Sequence, residues 1–249
     1  MAVELKRLLL DNTPLAQDFF EALSTRDRSE KVFAIISKIH KKDPAAFREY
    51  ARLAMAIALV YDQRPASGWP HYQVSASALP RRLPKPEEAF DFWVASDRSG
   101  KTLHKFAKLS IEELKFVVDT PAPFEELKWA QKLRPKLSTI PKLYGGFQYD
   151  DARYEQGRYV WEGSSYVLEE IKERGGICVD QAYFTATVAK ANGVPAMLVS
   201  GSGKDGRHAW VGFMEKPGKW NFETGRYPES KFVTGHTYDP QTWERSTDH

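Results

Sequence analysis

A chain of 249 residues with 42% apolar side chains can bury a full core, and its composition is that of a globular protein, which excludes a disordered one. Its 36 basic and 33 acidic residues leave a net charge of +3, and their mixing along the chain argues against the basic patch of a nucleic-acid binder. The single cysteine excludes an internal disulfide framework and any C-x-x-C metal site.

The opening Met1-Ala2-Val3-Glu4-Leu5-Lys6-Arg7 is no signal peptide, because no apolar h-region follows its basic residues. The first sixty residues then read as successive helices. Thr13-Pro14 is a helix start, with Leu15, Phe19, Phe20 and Leu23 at helical spacing behind it. Val32, Ile35, Ile36 and Ile39 form a second stripe. Asp43-Pro44 repeats the start signal ahead of Phe47, Tyr50, Leu53, Ala54, Ile57 and Tyr61. These stripes read as core. The apolar run Leu53 to Tyr61 is too short to span a bilayer.

Residues 62–86 are loop-rich, with a short strand expected at Tyr72 to Ser75. Pro86 opens a helix carrying Phe90, Trp93 and Val94, and Lys101 to Ala107 reads as a strand. Ser110-x-x-Glu113 is a capping box before Leu114, Val117 and Val118. Phe124 to Leu133 reads as another helix, closed before Pro135.

From Ser138 the texture changes. Tyr144, Phe147, Tyr149, Tyr154, Tyr159, Trp161 and Tyr166 crowd together between glycines and charges. Ser164 or Ser165 is the expected cap of a helix through Leu168 and Ile171 that ends at Gly175-Gly176. A helix then starts at Cys178 and closes at Asn192-Gly193. Pro195–Ser200, Arg207–Met214 and Lys219–Glu223 read as strands, with Gly201 to Gly206 and Lys216-Pro217-Gly218 as the turns between them. Lys231–Val233 and His236–Tyr238 add two shorter ones. Helices followed by an antiparallel sheet make the fold α+β. The division expected is a mainly helical region over 1–135 and a second domain over 136–249. The close at Trp243 to His249, with no terminating element, reads as a fragment of a longer protein, so a removed leader is compatible with it. The compartment and the oligomeric state stay open.

The chemistry centres on Gly175-Gly176-Ile177-Cys178-Val179-Asp180. A glycine turn that delivers a cysteine to the first turn of a helix places free N–H groups and the positive dipole end beside the sulfur, which favours thiolate. The bland alternative is a small buried hydrophobe. Of the six histidines, His208 follows a glycine-rich turn and starts a strand, where a sheet can hold its ring as a general base. No H-E-x-x-H or comparable spacing exists, so neither metal nor cofactor is expected. A third residue should orient the imidazole. A hairpin around Pro217-Gly218 sets residues 223–226 opposite His208, which nominates Glu223, with Asn221 and Asp239 as alternatives. Glu223 paired with Arg226 on a solvated strand is the competing reading. The aromatic run at 144–166 reads first as core and second as the wall of a substrate cleft. Gln148, Tyr166 and Trp210 are the candidate substrate contacts, and Gln148 with the N–H of Cys178 the candidate oxyanion donors.

Over about residues 140–240 these pieces together resemble the bacterial transglutaminase-like superfamily. The motifs are Gly176-x-Cys178-x-x-x-Ala182, Ala191-Asn192-Gly193-Val194-Pro195-Ala196, Gly206-Arg207-His208-Ala209-Trp210-Val211 and Gly218-Lys219-Trp220. The resemblance implies a papain-like Cys-His-Asp core, a nucleophile helix packed on an antiparallel sheet. It also implies a protein or peptide substrate attacked at an amide carbonyl by Cys178 with His208 as base. The family's aspartate, four residues after the strand tryptophan, corresponds here to Thr224, with Glu223 one before it. A one-residue bulge would bring Glu223 into place. A catalytically inactive peptide- or glycan-binding module on the same fold is the alternative.

Overall fold

The computed structural model describes residues 7, 9–203, 206–226 and 235–247. Past a helical stretch at residues 9–11, five helices follow up to residue 98: α1 (Thr13–Ala22), α2 (Ser29–Lys42), α3 (Pro44–Glu49), α4 (Ala51–Tyr61) and α5 (Pro86–Arg98). The first start signal falls one residue early, since Asn12 caps α1 by accepting the N–H of Leu15. Asp43 caps α3 through the N–H of Ala46, as expected. The long stripe from Asp43 to Tyr61 is not one helix. The backbone leaves helical geometry at Tyr50 (φ −117°, ψ 36°), whose hydroxyl donates to the Asp97 carboxylate. The apolar residues of α4 point in every direction, and Leu53 to Val60 are all buried, as befits a helix surrounded by others.

The two strands expected in the helical half are absent. At Tyr72–Ser75 no neighbouring strand is at hand. The Arg81 guanidinium gathers the carbonyls of Trp69, His71 and Val74, so a side chain does the work of a ladder. At Lys101–Ala107 the chain crosses to the second half: the N–H of Leu103 donates to Asn192 O, and His104 meets Met214 O at 2.9 Å. A 3-10 turn follows at Phe106–Lys108. Then come α6 (Ile111–Val118), with both bonds of its Ser110/Glu113 capping box, and α7 (Phe124–Lys132).

Short α8 (Ile140–Tyr144) and α9 (Asp151–Glu155) carry the aromatic-rich segment. Helix α10 (Leu168–Arg174) starts later than the serines suggest. Its cap comes from across the molecule, where the Glu126 carboxylate accepts the N–H of Leu168 at 2.8 Å. Burial pushes the Glu126 carboxyl up to about 7, with the Leu168 N–H opposing.

Helix α11 (Cys178–Ala191) is buried from Val179 to its end and lies on the sheet. The strands are β1 (Ala196–Gly203), β2 (Gly206–Lys216), β3 (Lys219–Thr224), β4 (Gly235–Tyr238) and β5 (Arg245–Thr247), antiparallel in the order β3-β2-β1-β4-β5. The fold is therefore α+β, with a helical region preceding the helix-on-sheet layer. The expected strand Lys231–Val233 lies outside the described residues, as do the turn tip Lys204-Asp205 and all but the last residue of the opening Met1–Arg7. The β2–β3 hairpin turns at Pro217-Gly218 as expected.

One hydrophobic cluster runs through both halves, from Phe19 and Phe47 through Trp93 and Leu127 to Val188, Val211 and Phe213. Polar ties cross with it. Gln131 donates to Ala191 O, and the Lys190 ammonium is buried against the Asp119 carboxylate. Burial pushes Asp119 up to about 6 and Lys190 down, with each partner's charge opposing the shift. Among the described residues no helix is long and apolar enough to cross a membrane, and no group of His, Cys, Asp or Glu is placed to hold a metal ion.

Candidate active site

The turn before Cys178 is pinned by a neighbouring strand-like segment. Gly175 has φ +82°, and a Cβ there would lie 2.6 Å from the carbonyl oxygen of Gln148, so glycine is required twice over. The N–H of Gly176 donates to Gln148 O (3.1 Å) and the N–H of Asp150 to Gly176 O (3.2 Å). Residues 148–150 are thereby held two residues from the cysteine.

Asp180, at the third position of α11, closes the helix start. Its carboxylate is fully buried and accepts the N–H of Ile177 (2.9 Å), Nη1 of Arg153 (2.7 Å) and the hydroxyl of Tyr166 (2.7 Å). Arg153 is itself buried and donates onward to the carbonyls of Arg158 and Tyr159, with its guanidinium over the Trp161 ring. The Tyr166 proton goes to Asp180, so its oxygen accepts from Nε2 of His71 at 3.1 Å. His71 is buried, and desolvation holds its pKa down at about 3, so the ring is neutral. Burial pushes the Asp180 carboxyl up. Arg153, the Tyr166 hydroxyl and the Ile177 N–H pull it back. This network fixes the height and direction of the helix start, and so of Cys178. The sequence reading passed over Asp180. Its signal was an acid at the third helical position behind a glycine turn, where a carboxylate caps free N–H groups.

The Cys178 thiol is partly exposed at the mouth of this turn. Burial pushes its pKa up. The N–H groups of Ala209, Val179 and Cys178 work the other way, while the Asp180 charge adds to the rise. Burial therefore works against the acidification that the helix start was expected to give, and the N–H groups of the turn oppose it. The Ala209 N–H facing the sulfur shows where β2 lies. The strand crosses the start of α11 one residue after His208.

His208 is half-buried, with its ring parallel to Trp210 (centroids 6.2 Å, 24°) and edge-on to Tyr144 (6.5 Å, 70°). Its Nε2 lies 2.6 Å from the carbonyl oxygen of Gly225. The Tyr144 hydroxyl donates to Ala209 O at 2.6 Å, so the residue whose N–H faces the sulfur is held through its carbonyl as well.

The three candidate orienting residues are elsewhere engaged. The expected irregularity in the hairpin is present, between the pairs Val211–Thr224 and Phe213–Asn221. It leaves the Glu223 side chain 62% exposed and 3.9 Å from Arg226. Asn221 lies opposite Phe213 and donates to Glu215 at 2.9 Å. Asp239 caps the turn after β4, where one oxygen accepts from the N–H groups of Gln241 and Thr242 and from the Thr242 hydroxyl.

Of the candidate substrate contacts, Gln148 is exposed beside the glycine turn. Tyr166 and Trp210 are 1% and 0% exposed, so neither can meet a substrate. Tyr166 packs against Tyr183 of α11, and Trp210 is enclosed by Val199, Gly235 and the Arg226 guanidinium. Apart from Phe20 in the helical half, the exposed rings among the described residues are Tyr154, Tyr159 and Tyr72. Tyr149, Tyr154 and Tyr159 follow one another at about 6 Å centroid spacing. Tyr72 accepts from Arg207, the neighbour of His208. Tyr154 and Tyr159 belong to the aromatic run. Tyr72 carried no sequence signal.

Residues 129–222 match the family model described as transglutaminase-like superfamily. The match covers α8 through α11, β1 and β2, and stops at Phe222, three residues short of Gly225. No curated protein matches the chain.

Proposed function

From the match of residues 129–222 to the transglutaminase-like model, we propose that the chain is a thiol enzyme acting on amide or peptide carbonyls through Cys178. The observation that carries this reading is the strand carrying His208 lying across the start of α11, with the N–H of the next residue, Ala209, facing the Cys178 sulfur. In this reading the imidazole of His208 takes the thiol proton as Sγ attacks the carbonyl carbon. The tetrahedral oxyanion is met by the N–H of Cys178 and by the exposed Gln148 amide. Collapse expels the amine, which leaves with the proton from His208, and a thioester remains on Cys178. Water, deprotonated by the same imidazole, then releases a carboxylic acid and the free thiol. Hydrolysis is the favoured outcome over transfer to a second amine, and a protein or peptide the favoured substrate. Residues 136–249 are the catalytic part, and the helices of 1–135 serve as its buttress.

The raised thiol has a mechanistic consequence. A desolvated sulfur does not ionise alone; it ionises only as a pair with an imidazolium beside it. The test is the iodoacetamide alkylation rate of Cys178 against pH, in the native protein and in His208→Ala. Rapid labelling well below pH 8 that slows in the variant is expected. Equal, sluggish rates with an inflection near the ordinary thiol value of about 8.5 would overturn it.

A second reading has its own support. The upward shift of the thiol and the solvent-facing Glu223 both suit a non-catalytic peptide- or glycan-binding module on the same fold. Binding of a substrate unchanged by Cys178→Ala, with no turnover by the native chain, would decide for it.

A further inference from the structure

We propose that Glu126 is a positioning residue for the Cys178 turn, acting from the helical half through α10, and that the turn tightens as its carboxyl ionises. Its part in catalysis rests on the thiol-enzyme reading above; its part in ordering the turn does not. Oε1 of Glu126 accepts the N–H of Leu168, the first residue of α10, at 2.8 Å. Val167, at the cap position, offers no side-chain acceptor. Seven residues are too few to hold a helix by their own hydrogen bonds, so the start of α10 leans on the acceptor that α7 extends to it.

The other end of α10 is the nucleophile turn. The N–H of Gly175 donates to Ile171 O (3.0 Å), Gly176 is pinned to Gln148, and Cys178 follows two residues later. A helix of this length spans about 10 Å. Glu126 and the glycine turn thus hold the two ends of one short, stiff piece. Glu126 lies ahead of the matched segment 129–222, so the helical half supplies a group that this segment lacks.

The hold varies with pH because of its setting. Glu126 is buried, and burial pushes its carboxyl up to about 7, with the Leu168 N–H opposing. The titratable groups around it are otherwise engaged or distant in charge. On α11, which packs against α7, the Tyr183 hydroxyl carries the Glu126 charge as the largest one bearing on it and is raised well above its ordinary value, so it stays neutral. Asp180 is bound to Arg153, and Lys190 to Asp119. On α10, Glu170 is bound to Ser165 and Arg174, while Glu169 is exposed; on α7 itself Glu125 and Lys128 are exposed. Glu126 therefore changes charge near neutrality without an ion-pair partner among the described residues. An ionised carboxylate accepts an N–H about twice as strongly as a neutral group does, and negative charge suits a helix start. The clasp on Leu168 accordingly closes as pH rises through about 7.

The experiment has two readouts on the full chain. In carbon NMR of the chain labelled with 13C-glutamate, the Glu126 carboxyl is the signal lost in Glu126→Gln. It should titrate near 7, and the Leu168 amide proton should move with it. Iodoacetamide labelling of Cys178 is then followed from about pH 5 to about pH 9 in the native chain and in Glu126→Gln, whose amide keeps the acceptor and never ionises. A closed clasp holds the N–H groups of the turn against the sulfur. The two rates should therefore agree at the acid end, and the native chain should gain up to about fivefold over the variant at the alkaline end, with its midpoint at the Glu126 titration. Unfolding of the same two proteins separates positioning from bulk support: at high pH the variant should be the more stable and yet the slower to label. A rate ratio constant with pH, a variant that labels faster, or a Glu126 signal that titrates near the ordinary 4.5 overturns the proposal. The two levels fail separately. A constant ratio leaves the comparison with His208→Ala untouched. Equal, sluggish labelling of the native chain and His208→Ala removes the thiol-enzyme reading even where the ratio follows Glu126.

Discussion

Removing one partner of the Arg153–Asp180 pair should be among the most damaging single changes in the chain. The two side chains are 4% and 0% exposed and their contact is 2.7 Å. Asp180→Ala would strand a buried guanidinium, at a cost of about 3–5 kcal/mol. It would also orphan the N–H of Ile177 and the hydroxyl of Tyr166, adding roughly 1 kcal/mol or more each. The total of about 5–7 kcal/mol rivals the whole stability of an ordinary domain, so this variant is expected to be largely unfolded. The informative variants are milder. Asp180→Asn keeps the shape and one acceptor and should cost about 2–4 kcal/mol. Arg153→Met leaves a buried carboxylate and should cost about 3–5 kcal/mol. The double variant should cost less than the sum by about 2 kcal/mol, because each single change already loses the pair. Urea unfolding followed by tryptophan fluorescence gives all three values. A coupling near zero, or an Asp180→Asn cost under about 1 kcal/mol, would show that the network does not hold the nucleophile turn.

Further predictions touch other parts of the molecule. Glu126 has its pKa raised from 4.5 to about 7 in the fold. Below 4.5 both states hold the proton. As pH rises through that window the unfolded chain ionises first, so the fold loses up to about 3 kcal/mol and the full cost stands above 7. Glu126→Gln should therefore be stabilising at pH 8 and neutral at pH 4, read from unfolding midpoints at both; an equal effect at the two pH values would contradict the assigned burial. Gly175→Ala meets both a left-handed backbone and Gln148 O, and should lose about 1–3 kcal/mol with a visibly altered Cys178 alkylation rate. Tyr154→Ala and Tyr159→Ala remove rings that are 43% and 48% exposed, so melting temperature should hold while peptide binding weakens by about 1 kcal/mol each. Unchanged binding would place the substrate elsewhere.

Local chemistry was legible in the sequence, and long-range chemistry was not. The Ser110–Glu113 box, the Asp43 cap, the Asn192-Gly193 stop and the Pro217-Gly218 turn are decided within a few residues, and each is where its pattern puts it. The two strands expected in the helical half failed because extended character does not create a partner strand. Arg81 and Asn192 took those backbone groups. The cap of α10 was misplaced because Glu126, 42 residues away, outcompetes the nearby serines. Within the site, cysteine and histidine announced themselves by their turns, whereas the burial that raises the thiol and hides Tyr166 and Trp210 is a property of the packed molecule.

The continuity of the core bears on how the molecule can be cut. The family match begins at Trp129, inside α7 (Phe124–Lys132). A gene fragment trimmed to that boundary would begin mid-helix. It would discard the Glu126 cap of α10 and the Asp119 carboxylate that neutralises Lys190. It would also lay bare the face of α11 that Leu127 and its neighbours cover. Such a fragment carries a lone interior ammonium and a stripped apolar wall, the two ingredients of insoluble expression. The smallest piece expected to stand by itself is therefore larger than the matched segment, because the helical half covers part of that segment's core.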